Sequence, residues 1–272
     1  MRGYTLIALT ITAFASVPLQ AKAEIVLGTA GDFAVLAGST VTNTGPTVIT
    51  GGNVGVSPGS AITGFPPGII VPPFTTQAAN ALSLQAQNDL TTAYNAAAAL
   101  TPTQNLTGQN LGGLVLTPGT YFFASSAQLT GTLVLNDQGN PNAQFVFQIG
   151  STLTTATGSN VVTINDPSLK PGANVFWQVG SSATLGTGTA FEGHILALTS
   201  ITLTTGATIL DGSALARNGA VTLDDNAIVN AVCPGSPVPE PATMPLALIG
   251  GVLLGVPVLG KKWRGSGVPT AA

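Results

Sequence analysis

Charged side chains are scarce in this sequence. Only 6% of its 272 residues are Asp, Glu, Lys or Arg, whereas 44% are hydrophobic. Disordered chains combine low hydrophobicity with high net charge, so that class is excluded. From Glu24 to Cys233 there are two cations, Lys170 and Arg217, against nine carboxylates. Because nucleic-acid binding depends on clustered Lys and Arg, no nucleic-acid partner is expected.

The residues that most often carry chemistry are also few. Cys233 is the one cysteine and His194 is the one histidine. The chain can therefore form neither an intramolecular disulfide nor a Cys/His zinc site. His194 could pair with Glu192, although a packed structural side chain is the simpler interpretation. We expect no metal and no cofactor.

The sequence does contain a recurring five-residue phrase. Its copies GTLVL, STLTT, ATLGT, ITLTT and VTLDD are centred on Leu133, Leu153, Leu185, Leu203 and Leu223. The intervals between these leucines are 20, 32, 18 and 20 residues. A unit of about 20 residues, built from short β-prone segments and glycine turns, predicts a β-solenoid.

Each of these leucines follows a threonine. Side chains alternate between the two faces of a strand, so inward leucines require outward threonines. The phrases therefore predict an outward file formed by Thr152, Thr184, Thr202 and Thr222. Threonine also simply suits strands, so a structural role for the file stays open beside a binding role.

One segment of the predicted solenoid domain, residues 24–233, has a different period. Residues 75–100 contain no Gly or Pro, and apolar residues, mostly alanine, recur there at steps of three and four. This pattern predicts one amphipathic helix packed along the solenoid. Thr75 or Thr76 is the expected N-cap, and Pro102 lies just beyond the expected end.

The first 23 residues have the pattern of a secretory signal. Arg2 precedes an apolar run from Tyr4 to Val17, and Ala21-Lys22-Ala23 forms an A-x-A cleavage motif. We therefore expect cleavage after Ala23 and export of the mature chain.

The tail changes composition after Cys233. A linker at 234–237 precedes Val238, Pro239, Glu240 and Pro241, then an uncharged stretch from 242 to 260, and finally a cationic end. This tripartite segment, residues 238–264, resembles the PEP-CTERM sorting signal of Gram-negative bacteria. The resemblance implies processing by a membrane-embedded exosortase and delivery to the cell envelope or exopolysaccharide matrix. A plain membrane anchor is the alternative.

The tail also has the minimum length for a membrane span. About 19 uncharged residues suffice to cross a bilayer, so we expect transient anchoring in the inner membrane. The cationic end would then place residues 265–272 in the cytoplasm by the positive-inside rule. The final location is expected to be extracellular or on the cell envelope.

No enzyme is expected from the sequence. It lacks the Gly-x-Ser-x-Gly elbow, the His-Glu-x-x-His metalloprotease motif and a phosphate-binding glycine loop. Asp224 and Asp225, with Asp211 about one coil away, are the one carboxylate group to consider for glycoside chemistry. Adjacent strand residues point to opposite faces, so a solvated turn is the favoured interpretation.

Several blocks resemble the microbial ice-binding protein family with a discontinuous β-solenoid. They are residues 27–45, 52–65 and 175–223, in the order that the family shows. The resemblance implies a mainly β fold: a right-handed β-helix of triangular section with one long helix alongside. It also implies that an N-terminal coil stacks beside the C-terminal coils, so that chain order is not stacking order.

The resemblance also directs attention to the turns. Some family members bind ice through Thr-Ala/Gly-x-Thr/Asn steps on one flat face. Matching steps run from Thr205 to Thr208 and from Thr157 to Asn160, and a step with Thr187 and Thr189 departs at its last position, Ala190. Together with the ladder threonines, the candidate contacts are Thr157, Asn160, Thr187, Thr189, Thr205, Thr208, Thr184 and Thr202.

Two functions follow as expectations. The leading hypothesis is a secreted, monomeric ice-binding protein that adsorbs passively to ice and inhibits its growth or recrystallisation. The alternative is a structural or adhesive matrix protein that binds exopolysaccharide or cells. The sorting signal favours either function.

Overall fold

The computed structural model describes residues 24–167 and 174–230. The signal segment, Cys233 and the sorting segment lie outside these residues. The described chain contains one 3-10 helix, η1 (Gly28–Asp32), one α-helix, α1 (Ala81–Ala99), and 22 short strands. In this part of the chain, no helix combines the length and apolar character that a membrane crossing requires.

The strands form three faces of a solenoid. The face beside α1, called the helix face, contains β1 (Phe33–Ala37), β4 (Asn53–Val56), β7 (Thr76–Ala78), β8 (Gln104–Asn105), β10 (Gly119–Phe123), β13 (Phe145–Ile149) and β16 (Val175–Val179). The second, the ladder face, contains β2 (Thr40–Thr44), β5 (Ala61–Thr63), β11 (Ala127–Leu129), β14 (Leu153–Thr155), β17 (Ala183–Leu185), β19 (Ile201–Leu203) and β21 (Val221–Asp224). The third face contains β3 (Val48–Thr50), β6 (Ile69–Ile70), β9 (Val115–Leu116), β12 (Thr132–Asn136), β15 (Asn160–Ile164) and β22 (Ala227–Val229).

Two longer strands turn the corner between the third face and the helix face. They are β18 (Ala190–Ala197) and β20 (Thr208–Ala216). Their first residues pair within the third face and their last residues pair within the helix face, with a register shift between Glu192 and His194. Gly193 lies at this shift with a φ of 98°, a conformation that glycine adopts without steric cost.

Stacking order differs from chain order, as the family resemblance implied. All strand pairs named above are parallel, and β1 lies between β20 and β4. In the same way β2 lies between β21 and β5, and β3 lies between β22 and β6. The two N-terminal coils therefore extend the stack beyond the coil that the chain forms last.

The interior is filled by side chains stacked from coil to coil. The rings of Phe147 and Trp177 lie 3.9 Å apart between centroids at an interplanar angle of 7°, and Phe191 continues the stack at 4.8 Å from Trp177. The Trp177 indole is fully buried and donates a hydrogen bond of 3.0 Å to the backbone oxygen of Glu192. The aromatic stack thus fills the core across three successive coils while the indole nitrogen remains hydrogen-bonded.

The predicted helix is present but begins later than expected. Residues 76–78 pair with β4 as strand β7, so Thr75 and Thr76 do not cap the helix. Asn80 is the N-cap instead: its Oδ1 accepts from the backbone N–H of Ser83 at 2.9 Å, and the Ser83 hydroxyl oxygen accepts from the N–H of Asn80 at 3.2 Å. This reciprocal pair fixes the start of α1.

The small residues of α1 allow it to lie close to the helix face. Ala86, Leu90, Ala93 and Ala97 are buried in a second apolar core between the helix and the outward side of the helix face. Gln148 crosses this layer and donates to the backbone oxygens of Ala97 and Leu100 near the end of the helix. The helix therefore covers the central part of one face and leaves the ladder and third faces free of it.

Candidate functional site

The ladder face presents one straight file of threonines. Strand pairing places these outward residues side by side from coil to coil: Gln128, Thr154, Thr184, Thr202, Thr222, Thr42 and Thr63. On the inner side of the same strands, Leu185 pairs with Leu203, and both are fully buried. The predicted arrangement of inward leucines and outward threonines is thus present from β17 to β21.

Two copies of the phrase were aligned wrongly from the sequence. Leu133 lies in β12, on the third face, where it pairs with Val161. Leu153 pairs with Ala183 rather than with Leu185, which moves that coil by two residues. Thr154 therefore takes the place in the file that was predicted for Thr152. The repeat identifies the coils, but turn length at each corner decides the register.

The central threonines of the file have hydroxyls directed to solvent. Within the described residues, the hydroxyls of Thr154, Thr184 and Thr202 make no hydrogen bond to protein. Parallel strands hold them about 4.8 Å apart along the axis. Threonine is β-branched and its χ1 is restricted, so the file is rigid before any ligand arrives.

Three of the candidate threonines lie at the corner between the ladder face and the third face. Thr157, Thr187 and Thr205 are all exposed there. The glycine after each has a positive φ, between 64° and 72°, and a Cβ there would meet no atom within 4 Å. Glycine is thus required at these steps for backbone conformation and not for space.

Two of the three corner hydroxyls, those of Thr187 and Thr205, interact with side chains inside the protein. Thr187 lies 3.4 Å from the hydroxyl of Thr204 on the next coil. Thr205 donates to a carboxylate oxygen of Asp224. These hydroxyls differ in this way from those of Thr184 and Thr202.

The last residues of the turn steps belong to the third face. Asn160 and Thr208 are half-buried there and both pair with Ala190, so the three occupy one file. The prediction for Thr189 is wrong: it is fully buried, and its hydroxyl lies 2.7 Å from that of Thr155 inside the corner. Thr189 takes the inward place between Gly188 and Ala190, as Ser159 and Ala207 do in their turns, so Ala190 takes the outward place.

The third face is largely aliphatic. Seven of the ten exposed large hydrophobic residues in the described chain lie on it: Val48, Ile69, Val115, Val162, Ile164, Leu210 and Val229. They project from six different strands of this face. The candidate residues Asn160 and Thr208 therefore stand among apolar neighbours, whereas Thr184 and Thr202 stand in a file of hydroxyls.

The carboxylates considered from the sequence do not converge. Asp224 projects onto the edge of the ladder face, where its two oxygens accept from Thr44 and Thr205. Asp225 lies at the corner with a φ of 52°. Asp211 lies elsewhere, close enough to Glu192 to raise its pKa. Asp211 therefore belongs with Glu192 rather than with Asp224 and Asp225.

His194 and Glu192 do not form the pair considered from the sequence. The Nδ1 atom of His194 is 2.8 Å from the Ser213 hydroxyl, and its ring stacks on Phe176 at 5.5 Å. The Glu192 carboxylate instead accepts from the Thr163 hydroxyl at 2.6 Å. The register shift at Gly193 lies between the two residues and separates them, so His194 is a packed residue under the helix.

Acidic residues gather at the corner between the third face and the helix face. Burial, followed by the nearby charge of Asp166 and Glu192, raises the pKa of Asp137 to about 6. Burial also raises the pKa of Glu192, with Asp211 and Asp166 adding to the rise and the Thr163 hydrogen bond opposing it. Among the described residues, no group of three His, Cys, Asp or Glu side chains has the geometry of a metal site.

Comparison with known proteins identifies the family. The sequence model described as ice-binding-like matches residues 35–229, most of the described solenoid. The chain belongs to the ice-binding-like family. An ice-binding protein of Nostoc sp. (strain HG1) is 56% identical over 260 residues, which cover 93% of each chain.

Solved structures of this family share the fold. An ice-binding protein from an Antarctic biological consortium aligns with a TM-score of 0.71 at 47% identity, covering 79% of this chain and 96% of that one. An ice-binding protein of the Antarctic ascomycete Antarctomyces psychrotrophicus aligns with a TM-score of 0.71 at 40% identity, covering 76% and 98%. The predicted β-solenoid is confirmed.

The tail also matches a known sequence pattern. The PEP-CTERM protein-sorting motif matches residues 237–264, which confirms the resemblance carried by Val238, Pro239, Glu240 and Pro241. This segment lies outside the described residues.

Proposed function

We propose that the protein binds ice through its ladder face. The observation that carries this proposal is the file of outward threonines, whose central members keep their hydroxyls free of protein partners in the described chain. Membership of the ice-binding-like family and the 56% identical relative named for ice binding support it.

The dimensions of the face suit a crystal surface. Its seven strands are separated by six intervals of about 4.8 Å, which gives a file about 29 Å long. Threonine methyl and hydroxyl groups recur along this line at the strand spacing, and they can order water into a lattice that merges with ice. Binding is passive adsorption through many weak contacts, and the face contributes no catalytic group.

The corner and the third face are less suited to this role. Thr187 and Thr205 share their hydroxyls with neighbouring side chains, and Asn160 and Thr208 lie beside exposed aliphatic residues. We therefore place Thr184 and Thr202 at the centre of the contact. Thr157, Thr187 and Thr205 border it at the corner.

The test compares three tyrosine variants of purified residues 24–233 in ice recrystallisation inhibition and thermal hysteresis. Thr202→Tyr on the ladder face should reduce both activities by roughly half or more, because one protruding ring breaks the fit over several coils. Thr208→Tyr on the third face and Thr92→Tyr on the exposed side of α1 should keep them.

The variants and the wild type test two different statements: which face contacts ice, and whether the protein binds ice. A loss in Thr208→Tyr with full activity in Thr202→Tyr would move the contact to the third face. An inactive wild-type protein would refute ice binding.

A second function is favoured by one observation, the sorting motif at 237–264. We propose that an exosortase-type enzyme processes the tail and that the exported chain reaches the cell surface or extracellular space as a monomer. Exopolysaccharide from the same cells is then a candidate ligand. Sedimentation of the purified protein with that polysaccharide would support this role, and recovery entirely in the supernatant would refute it.

A further inference from the structure

Asp224 is the charged side chain that the described coils place on the ladder face. It is the last residue of β21 and pairs with Thr44 of β2. It lies two residues beyond Thr222, on the same outward side, and is half-buried. Its column borders the central threonine file along the corner with the third face.

The Asp224 carboxylate accepts hydrogen bonds from hydroxyl groups on two other coils. One oxygen accepts from the Thr44 hydroxyl at 3.0 Å, and the other accepts from the Thr205 hydroxyl. The Asp224 backbone N–H is itself held by the Asn226 side chain at 2.6 Å. Two hydroxyl donors thus hold the carboxylate, and the Asn226 side chain holds the backbone of the same residue.

Its charge is not neutralised by a cation in the described chain. Arg217, the one cation among residues 24–167 and 174–230, lies over the Tyr94 ring at 4.7 Å, beside the helix. A carboxylate holds its hydration water strongly, and removing that water without a compensating partner is costly. Water around a fixed negative charge is also oriented toward the charge and not along a crystal lattice.

We propose that Asp224 limits ice binding by dividing the ladder face into two patches. The coils of β14, β17 and β19 form one patch, and the coils of β2 and β5 form the other. The carboxylate keeps a shell of ordinary hydration water between them and holds the Thr44 and Thr205 hydroxyls away from the ice. This inference rests on the proposed function of the face.

Two substitutions remove the charge in different ways. Asp224→Asn keeps an acceptor oxygen for one of the two hydroxyls. Asp224→Thr places another threonine beside Thr44, which retains the Leu223 backbone oxygen as an acceptor at 3.4 Å. Asp225→Asn is the matched control, because it removes the adjacent charge at the corner and asparagine tolerates the positive φ there.

The experiment measures thermal hysteresis of the purified full-length protein and the three variants at equal concentration. The proposal expects a rise of roughly two-fold or more in both Asp224 variants, with Asp225→Asn at the wild-type value. Thermal unfolding of each variant reports whether the fold is retained. If Asp224→Thr fails to fold, Asp224→Asn decides the question.

Unchanged or lower activity in the folded Asp224 variants would overturn the proposal while leaving ice binding by the wild type intact. An equal rise in Asp225→Asn would also overturn it, because net charge would then be the cause. If the wild type is inactive, the proposed function fails and the limit set by Asp224 fails with it. If all four proteins are inactive, both proposals fail.

Discussion

The hydroxyl of Thr42 lies 3.5 Å from the hydroxyl of Thr222, although 180 positions separate them in the chain. The pair joins the first coil that the chain forms to the last one, within the threonine file. An ice-binding face on this solenoid is therefore built from both ends of the sequence.

Thr42 should accordingly contribute to ice binding as strongly as the threonines of the C-terminal coils. Thr42→Tyr should lower thermal hysteresis by roughly half or more, because the ring projects from within the threonine file. The measurement is made beside Thr92→Tyr, whose side chain projects from the helix. Full activity in Thr42→Tyr would confine the contact to the C-terminal coils.

Trp177 is predicted to be the most costly single truncation in the core. It is fully buried, stacks on Phe147 and Phe191, and satisfies its indole N–H within the protein. Trp177→Ala should lower the free energy of unfolding by about 3–5 kcal/mol. Chemical denaturation checks this value, and Trp177→Phe should recover part of the loss. A loss below about 1 kcal/mol would show that neighbouring coils collapse into the cavity.

Loss of the capping box at the start of α1 should lower the free energy of unfolding by less than the Trp177 truncation does. Asn80→Ala removes the acceptor for the Ser83 N–H and should lower the free energy of unfolding by about 1 kcal/mol. Asn95→Ala, at an exposed position within the same helix, is the matched control and should have little or no destabilising effect. Equal losses in the two variants would contradict the capping role.

The Asp137 carboxyl predicts a pH dependence of stability. Its folded pKa, about 6, lies above the ordinary value of 3.8, so the folded state binds the proton more tightly than the unfolded state does. The resulting stability is fully present below about pH 4 and is lost as pH rises through about 6.

Asp137→Asn should remove this part of the pH dependence. Melting temperatures of wild type and variant are compared from pH 4 to pH 7, where the wild type should lose about 1–2 kcal/mol more than the variant after allowance for solvent screening. Glu192 shifts in the same direction and is present in both proteins, so the difference reports Asp137 together with its coupling to Asp166 and Glu192. Parallel curves would contradict the shift.

The architecture could be predicted because the repeat is visible in the residues themselves. Leu185, Leu203 and Leu223 recur at almost constant intervals and are all fully buried. The helix could be predicted from the change in the spacing of apolar residues, but its first residue could not. Residues 76–78 belong equally well to a strand by composition, and their pairing with β4 decides the matter.

The two N-terminal threonines of the file could not be found by the same phrase. In β2 the inward place beside Leu223 is taken by Asn43, which is 6% exposed and donates to the backbone oxygens of Gly45 and Gly64. A search for leucine therefore passes over Thr42. The alternation Thr42, Thr44 before a glycine was the signal that remained.

Thr189 shows the opposite error. It follows the glycine of its turn step, as Ser159 and Ala207 do in theirs, and all three are fully buried. The Thr189 hydroxyl lies against that of Thr155 inside the corner. The exposed corner threonines precede the glycine, so the place of a threonine within the step, and not its presence in the turn, decides its exposure.

The insertion of the N-terminal coils next to the C-terminal ones has a consequence for how the protein is made. In an ordinary linear repeat each unit needs only its sequence neighbours and can be completed as the chain grows. Here β2 pairs with β21 and β3 pairs with β22. The first coils therefore lack these partners until nearly the whole solenoid has been synthesised. Long-range pairing of this kind slows folding. Slow folding helps a chain that must cross a membrane through a narrow pore while still unfolded. A chain truncated near its C-terminus would lose the partners of its first coils together with its last coil.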